Sequence, residues 1–405
     1  ILTADRPEEW IEQEDGQSIR QQYLYASYIK RSFHLRAYYT GGDTGWYRDR
    51  IINEAYNTCI SGKKGPVHVN IALKEPLYST DYQSREPFKI IDAASSQRQL
   101  SQKAVDELRE KISRHAKIMV LTGVLHKSAY LNSLMEQFST SAKAVVLTET
   151  TSNLHSQQFL PSVDRIVFSL QEHEEQAFAP DLLITFGHQV ISKKIKAYLR
   201  KHRPVEHWHV CPGDECPDTY QSLTRHIPLA PEDFLRQILP LQEYPRGSFR
   251  EFWQERDRIT REKHTQYLES LSFCDFKAVE AILKHIPENT QLQMANSTPV
   301  RYIQLFPPFK KLDYYANRGT SGIDGCVSTA AGAAFANNSL TTLITGDIAF
   351  LYDSNALWNP HLTNNLRIII INNAGGGIFR FIDGPSEKEE LERFFESKHR
   401  LDAEN

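Results

Sequence analysis

TTLITGDIAFLYDSNALWNPHLTNNLRIIIINNAGGGIF, residues 341–379, decides how this chain is read. Thr341 to Thr345 is a short apolar run that ends in Gly346-Asp347. Leu366 to Ile371 is a second run, ending in Asn372-Asn373 and followed by Ala374-Gly375-Gly376-Gly377. Asn373 lies twenty-six residues after Asp347. Two adjacent parallel strands would bring Asp347 and Asn373 together at one sheet edge, where ligands of such sheets sit. A carboxylate and a side-chain amide are hard oxygen ligands suited to Mg²⁺, which keeps positions for phosphate oxygens and water. Glycine lets the backbone come close to a diphosphate, and a backbone carbonyl can supply another ligand. Taken singly, Gly-Asp is a turn and Asn-Asn-Ala-Gly a loop. The spacing joins them into one site.

Outward from this stretch, helices alternate with short apolar strands. The pattern predicts helices over Gly16–Ile29, Asp49–Ser61, Gln97–Arg114 and Phe249–Leu271, and a charged helix over Glu387–His399. It predicts strands over Val67–Ala72, Ile118–Thr122, Ala144–Thr148, Leu182–Phe186, Thr341–Thr345 and Leu366–Ile371. Such alternation implies an α/β protein with parallel sheets covered on both faces. Three blocks follow, residues 1–88, 89–246 and 247–405, separated by the polar stretch Ser79–Glu86 and the turn at Pro245-Arg246-Gly247. The first block offers too few strands for a doubly wound sheet, and the last ends without a closing strand. The first and last domains are therefore expected to be incomplete, the chain being a fragment.

Composition narrows the class. The chain has 405 residues, a net charge of -3 and 40% hydrophobic residues. The balance argues against nucleic-acid binding, which usually needs a basic excess. No apolar run nears the roughly 18 residues that span a bilayer. Five cysteines, an odd and sparse set, give no disulfide framework and suit a cytoplasmic setting. His207, His209, Cys211 and Cys216 could be drawn as a zinc site, but their spacing fits no standard pattern and a strand over Val205–Val210 accounts for them.

The Asp347–Asn373 stretch resembles the metal-diphosphate motif of thiamine-diphosphate enzymes, which begins Gly-Asp-Gly and ends Asn-Asn; Ile348 stands at its third position. Several further runs resemble the 2-succinyl-5-enolpyruvyl-6-hydroxy-3-cyclohexene-1-carboxylate synthase family. They are Asn317-Arg318-Gly319 to Gly322-Ile323-Asp324-Gly325 with Ser328-Thr329-Ala330, Asn296-Ser297 with Arg301, Gly376 to Phe379, Thr3 to Pro7, and Gly65 to Ile71. Glu392 to Phe395 with His399 adds a weaker match. The resemblance implies a thiamine-diphosphate-binding fold of three doubly wound parallel-sheet domains: pyrimidine-binding, central and diphosphate-binding. It implies a transferase that decarboxylates 2-oxoglutarate and adds the succinyl unit to isochorismate in menaquinone biosynthesis, as a homodimer or homotetramer.

The same resemblance implies residue roles. Asp347, Asn373 and the Gly375 carbonyl would bind Mg²⁺ or Mn²⁺, and Gly346, Asn296 and Ser297 would lie against the cofactor, with Ile323 as its apolar wedge. Arg301 and Arg318 would hold 2-oxoglutarate, since a guanidinium pairs with a carboxylate through two parallel hydrogen bonds. Arg6 and Gln17 would hold isochorismate, Lys193 and Lys194 match a basic pair of the central domain, and Ile378 and Phe379 would bind substrate, the alternative for them being plain core. Ala349 replaces a frequent family serine. The family's glutamate that activates the cofactor precedes the Thr3–Pro7 segment. No catalytic residue is therefore assigned, and this chain alone is expected to be inactive. The alternatives are another 2-oxo acid enzyme, of the acetohydroxyacid synthase or decarboxylase type, and a non-catalytic module of the same fold.

Overall fold

The computed structural model describes residues 1–36, 42–74, 87–94, 96–241, 247–307, 311–381 and 384–401. The chain divides into two compact units, Ile1–Arg98 and Gln99–Asn405. The first carries a three-stranded parallel sheet of β1 (Leu2–Asp5), β2 (Ser32–Arg36) and β3 (His68–Ala72), in the order β1-β3-β2. Phe33, Leu35, Val67 and Val69 pack on Ile51 and Ala55 of the helix Thr44–Ile60. Buried polar groups on β3 are paired: Thr3 donates to Asn70 at 2.8 Å, and Asn70 donates to Asp5 at 2.7 Å. The helix expected over Gly16–Ile29 does not form. Its apolar residues Ile19, Tyr23 and Leu24 are exposed, so no core supports a helical face, and turns replace it.

The second unit holds two sheets. The larger has β4 (Ile118–Thr122), β5 (Val145–Leu147), β6 (Leu182–Phe186), β7 (Glu206–Val210) and β8 (Arg225–Ile227), in the order β5-β4-β6-β7-β8, all parallel. Side chains alternate between faces along a strand. Ile118 and Val120 accordingly enter one core, while Met119 and Leu121 enter another across the sheet. That is why the strand reads as a continuous apolar run. Helices over Gln102–Arg114, Ala129–Ser141 and Lys193–Lys201 cover it, and Ser101, Ser128 and Ser192 cap their N-termini. His207 and His209 lie on β7 and both contact the Thr185 hydroxyl, at 2.8 and 2.9 Å.

The second sheet comprises β9 (Gln291–Met294), β10 (Asp313–Tyr315), β11 (Thr341–Gly346) and β12 (Leu366–Ile371), ordered β10-β9-β11-β12 and parallel. Gly346 pairs with Ile371, so the carboxyl ends of β11 and β12 stop level with each other. The helix expected over Glu387–His399 is broken into short turns at Pro385–Glu387 and Leu391–Phe395. All three sheets are parallel, as expected for an α/β protein.

Candidate functional site

Three strand ends converge on one cavity of about 530 Å³. Asn296 follows β9, Asp347 follows β11 and Asn373 follows β12. Gly346, Ser297, Arg301, Arg318, Ile323, Gly375, Ile378 and Phe379 line the same cavity, so eleven of the residues singled out from sequence share it. β9 is followed on one side by β10 and on the other by β11. The cavity thus opens at the point where the winding of the sheet reverses.

The Asp347 carboxylate is buried at the start of the short helix Asp347–Tyr352. Its Oδ1 accepts the Ile348 N–H at 2.7 Å and its Oδ2 the Gly375 N–H at 2.9 Å. His399 Nε2 lies 3.2 Å from Oδ2, within ion-pair distance but too poorly aligned to make a hydrogen bond. Asn373 turns its Nδ2 to Asp275 Oδ2, at 2.8 Å.

Asn296 holds the 317–325 loop. Its Nδ2 donates to the carbonyls of Asn317 and Gly322, both at 2.7 Å, and its Oδ1 accepts Arg318 Nη1 at 2.6 Å. Ser297 sits at φ 77° and ψ −129°, a conformation costly for a residue with a side chain and concentrated at functional sites. Ile323 packs beside Val327 and Ala349. Arg301 and Arg318 each bury an Nε with no hydrogen-bond partner. Burial, and next the charge of Arg301, pushes the Arg318 guanidinium below its ordinary value, while Glu149 pulls the other way. Two neighbouring cations with unsatisfied donors are the complement of an anion with several oxygens.

Lys193 and Lys194 do not line the cavity. Both are exposed at the start of the Lys193–Lys201 helix, and Lys194 lies over the Phe168 ring at 5.3 Å. Lys196, one residue pair further on, is the lysine whose ammonium feels Arg301 and Arg318. Burial chiefly, then those neighbouring cations against the attraction of Glu149, lowers its pKa. Its Nζ donates to the Val190 carbonyl at 2.8 Å. In the first unit, Arg6 follows β1 and Gln17 is exposed in a turn at φ 61°.

Sequence reasoning missed one wall of the cavity. Phe394, Phe395, Glu396 and Ser397 line it, and Phe395 packs against Phe379 with ring centroids 5.5 Å apart. Gly376 N–H donates to the Glu396 carbonyl. A Cβ at Gly375 would come within 2.8 Å of that carbonyl. The glycine at 375 therefore answers first to this neighbouring segment. Gly346, on the cavity wall, differs: a Cβ there would meet no atom within 4 Å.

These features fit a metal-bound diphosphate. Asp347 and Asn373 supply hard oxygens, nothing crowds Gly346, and Arg301 and Arg318 line the same space.

A family model for the middle domain of thiamine pyrophosphate enzymes matches residues 80–294. The chain is 38% identical over its whole length to the 2-succinyl-5-enolpyruvyl-6-hydroxy-3-cyclohexene-1-carboxylate synthase of Flavobacterium johnsoniae, of which it spans 72%. It is 36% identical to the protein of the same name from Porphyromonas gingivalis, across 98% of this chain and 70% of that one. A third, from Bacteroides thetaiotaomicron, is 34% identical across the whole chain and 71% of its own length. With the strand-end constellation in place, these likenesses put the chain in the 2-succinyl-5-enolpyruvyl-6-hydroxy-3-cyclohexene-1-carboxylate synthase family of thiamine-diphosphate enzymes.

Proposed function

We propose that the cavity at the ends of β9, β11 and β12 is where this transferase binds its cofactor and 2-oxoglutarate. The reaction is decarboxylation of 2-oxoglutarate and addition of the succinyl unit to isochorismate, a step of menaquinone biosynthesis. The observation that carries the assignment is the meeting of a buried carboxylate, Asp347, with two arginines whose Nε groups lack partners. Thiamine diphosphate, when bound, supplies the nucleophilic carbon and the electron sink.

The chain's own residues then bind and orient. Asp347, Asn373 and the Gly375 carbonyl would hold Mg²⁺ or Mn²⁺, whose preference for oxygen they match. Arg301 and Arg318, both on the cavity wall, would grip the carboxylates of 2-oxoglutarate through their guanidinium groups. Asn296 fixes Arg318 and the 317–325 loop, so Ile323 is presented from a rigid support. Ile378 and Phe379, held by Phe395, would keep water from the reacting carbon. Arg6 and Gln17 are proposed for isochorismate, and Lys193 and Lys194 as a basic pair for substrate carboxylates. We further propose a division into domains at residues 1–88, 89–246 and 247–405, a homodimer or homotetramer, and a cytoplasmic location. No helix among the described residues is long and apolar enough to cross a membrane.

Incubation of the enzyme carrying its cofactor-activating glutamate with 2-oxoglutarate or pyruvate, each with and without isochorismate, tests the substrate assignment. Product is expected only from 2-oxoglutarate with isochorismate, and equal turnover of pyruvate would overturn it. Calorimetric titration of Asp347→Ala with thiamine diphosphate and Mg²⁺ tests the metal assignment. Binding is expected to be lost, and parental affinity would remove Asp347 from the site.

A further inference from the structure

Asn373 can ligate a metal only through Oδ1, because its Nδ2 carries hydrogens and no available lone pair. Nothing in an asparagine's own shape decides which end of the amide faces a ligand. Here a second residue decides it. Asp275, first residue of the helix Asp275–His285, places Oδ2 2.8 Å from Asn373 Nδ2. An ionised carboxylate only accepts hydrogen bonds. The amide must therefore present nitrogen to Asp275, and the opposite orientation would set oxygen against oxygen. Asn373 borders both the main cavity and a smaller one that Asp275 lines. With its nitrogen committed to the smaller cavity, its oxygen is left for the main one. The glycine at 377 lets the chain pass close by, since a Cβ there would stand 3.3 Å from Nδ2.

We infer that Asp275 is a positioning residue that orients the Asn373 amide, so that Oδ1 faces the metal position beside Asp347. This rests on the reading of Asp347 and Asn373 as metal ligands. Asp275 lies 98 residues from Asn373 in sequence and belongs to none of the motifs that mark the site. Outer partners of this kind typically change metal affinity by about 10- to 100-fold when removed.

The test is titration of the full chain with Mn²⁺ at saturating thiamine diphosphate, read by electron paramagnetic resonance of free Mn²⁺, beside the melting temperature without metal. Asp275→Ala is expected to weaken Mn²⁺ binding by about 10- to 100-fold. Asp275→Asn can accept or donate, so it merely stops enforcing the orientation, and a smaller loss is expected. A role limited to placing negative charge at the helix N-terminus would lower the melting temperature of both variants and leave Mn²⁺ affinity unmoved. That result overturns the inference. If the alanine variant does not fold, the asparagine variant decides alone, parental affinity again overturning it. Asp347→Ala run alongside separates the two levels. If it loses Mn²⁺ while both Asp275 variants keep it, only the role of Asp275 fails. If it too binds as the parent does, the metal reading itself fails.

Discussion

The two sheets of the larger unit wind alike, yet among the described residues their strand ends differ in how closely the loops pack. In each, one strand is followed by a neighbour on one side and then by a neighbour on the other: β4 by β5 and β6, β9 by β10 and β11. Such a reversal point is where α/β sheets bind ligands. At β4 and β6 the space is sealed. Gly123 N–H bonds the Phe186 carbonyl at 3.0 Å, His188 N–H bonds that of Val124 at 2.9 Å, and Leu125 N–H bonds that of Thr151 at 3.0 Å. A Cβ at Gly123 would stand 2.0 Å from the His188 carbonyl oxygen. At β9 and β11 the corresponding space is the 530 Å³ cavity, and a Cβ at Gly346 would touch nothing. The topology permits a site in both places; what the loops after the strands pack against decides which is used.

The largest effect should come from breaking the sealed side. Gly123→Ala forces a methyl into a backbone carbonyl that flexible side chains cannot relieve. Overpacking typically costs 1–3 kcal/mol, and this contact belongs at the upper end, about 3 kcal/mol. Thermal or urea unfolding should show it, with cofactor affinity of the folded fraction unchanged. A melting curve like the parent's would mean the loops separate easily and the seal is not rigid.

The sealed side also satisfies its buried charge internally. Glu149, fully buried beyond β5, accepts N–H bonds from Ile191 and Ser192, both at 2.7 Å. Burial, outweighing those bonds, pushes its pKa up to about 7. A raised carboxyl pKa favours the protonated form in the folded state. The stability it contributes is full below the unfolded value, near 4.5, and is lost as pH rises through about 7. On the scale of 1.36 kcal/mol per pH unit, the loss is on the order of 3 kcal/mol. His207, lowered to about 4 by burial, acts oppositely, its stability failing as pH falls below its ordinary value of 6.5. Comparing Glu149→Gln with the parent isolates the first effect: the difference in stability between pH 4.5 and 7 should change in the mutant's favour as pH rises. Parallel pH profiles would show that Glu149 is not buried as a neutral acid.

On the open side, half-buried arginines line the cavity. Arg318→Lys keeps the charge and loses the planar fork. Losing a charge-assisted hydrogen bond costs about 1.5–3 kcal/mol, or roughly 10- to 150-fold in kcat/KM for 2-oxoglutarate. Unchanged kinetics would place that substrate elsewhere.

The sequence was legible where burial is uniform. β4 and β6 stand out because their apolar side chains are buried on both faces, while β12 reads as an apolar run although it is only half-buried. β9 and β10 do not stand out: Gln291-Leu292-Gln293-Met294 buries a glutamine, and Asp313-Tyr314-Tyr315 is too short to show a period. The opposite error arose over Gly16–Ile29, where helical spacing of apolar residues has no core to face. In the site, residues adjacent to strand ends were readable because register fixes them. Asp275, Glu396 and Ser397 were not, and Phe394, Phe395 and His399 carried a weak family match but no role, since long-range packing alone brings them in. The glycine run was half understood: Gly375 serves the approach of Glu396, a fact visible only in three dimensions.

The smallest expected effect bears most directly on the comparison. Gly346 has φ −82° and ψ 164°, values any residue adopts, and an added Cβ meets no protein atom within 4 Å. Alanine there should leave stability within about 0.5 kcal/mol of the parent, as for substitutions away from packed features. A slight gain is also consistent, because alanine restricts the unfolded chain. If the space is a cradle for the diphosphate, the methyl stands in the ligand's place. Affinity for thiamine diphosphate with Mg²⁺ should then fall about tenfold, the equivalent of roughly 1.4 kcal/mol. Calorimetric titration and a melting curve on the same protein give both numbers. Loss of stability with affinity retained would reverse the contrast with Gly123, making Gly346 a packing glycine and leaving the open crevice without its cradle.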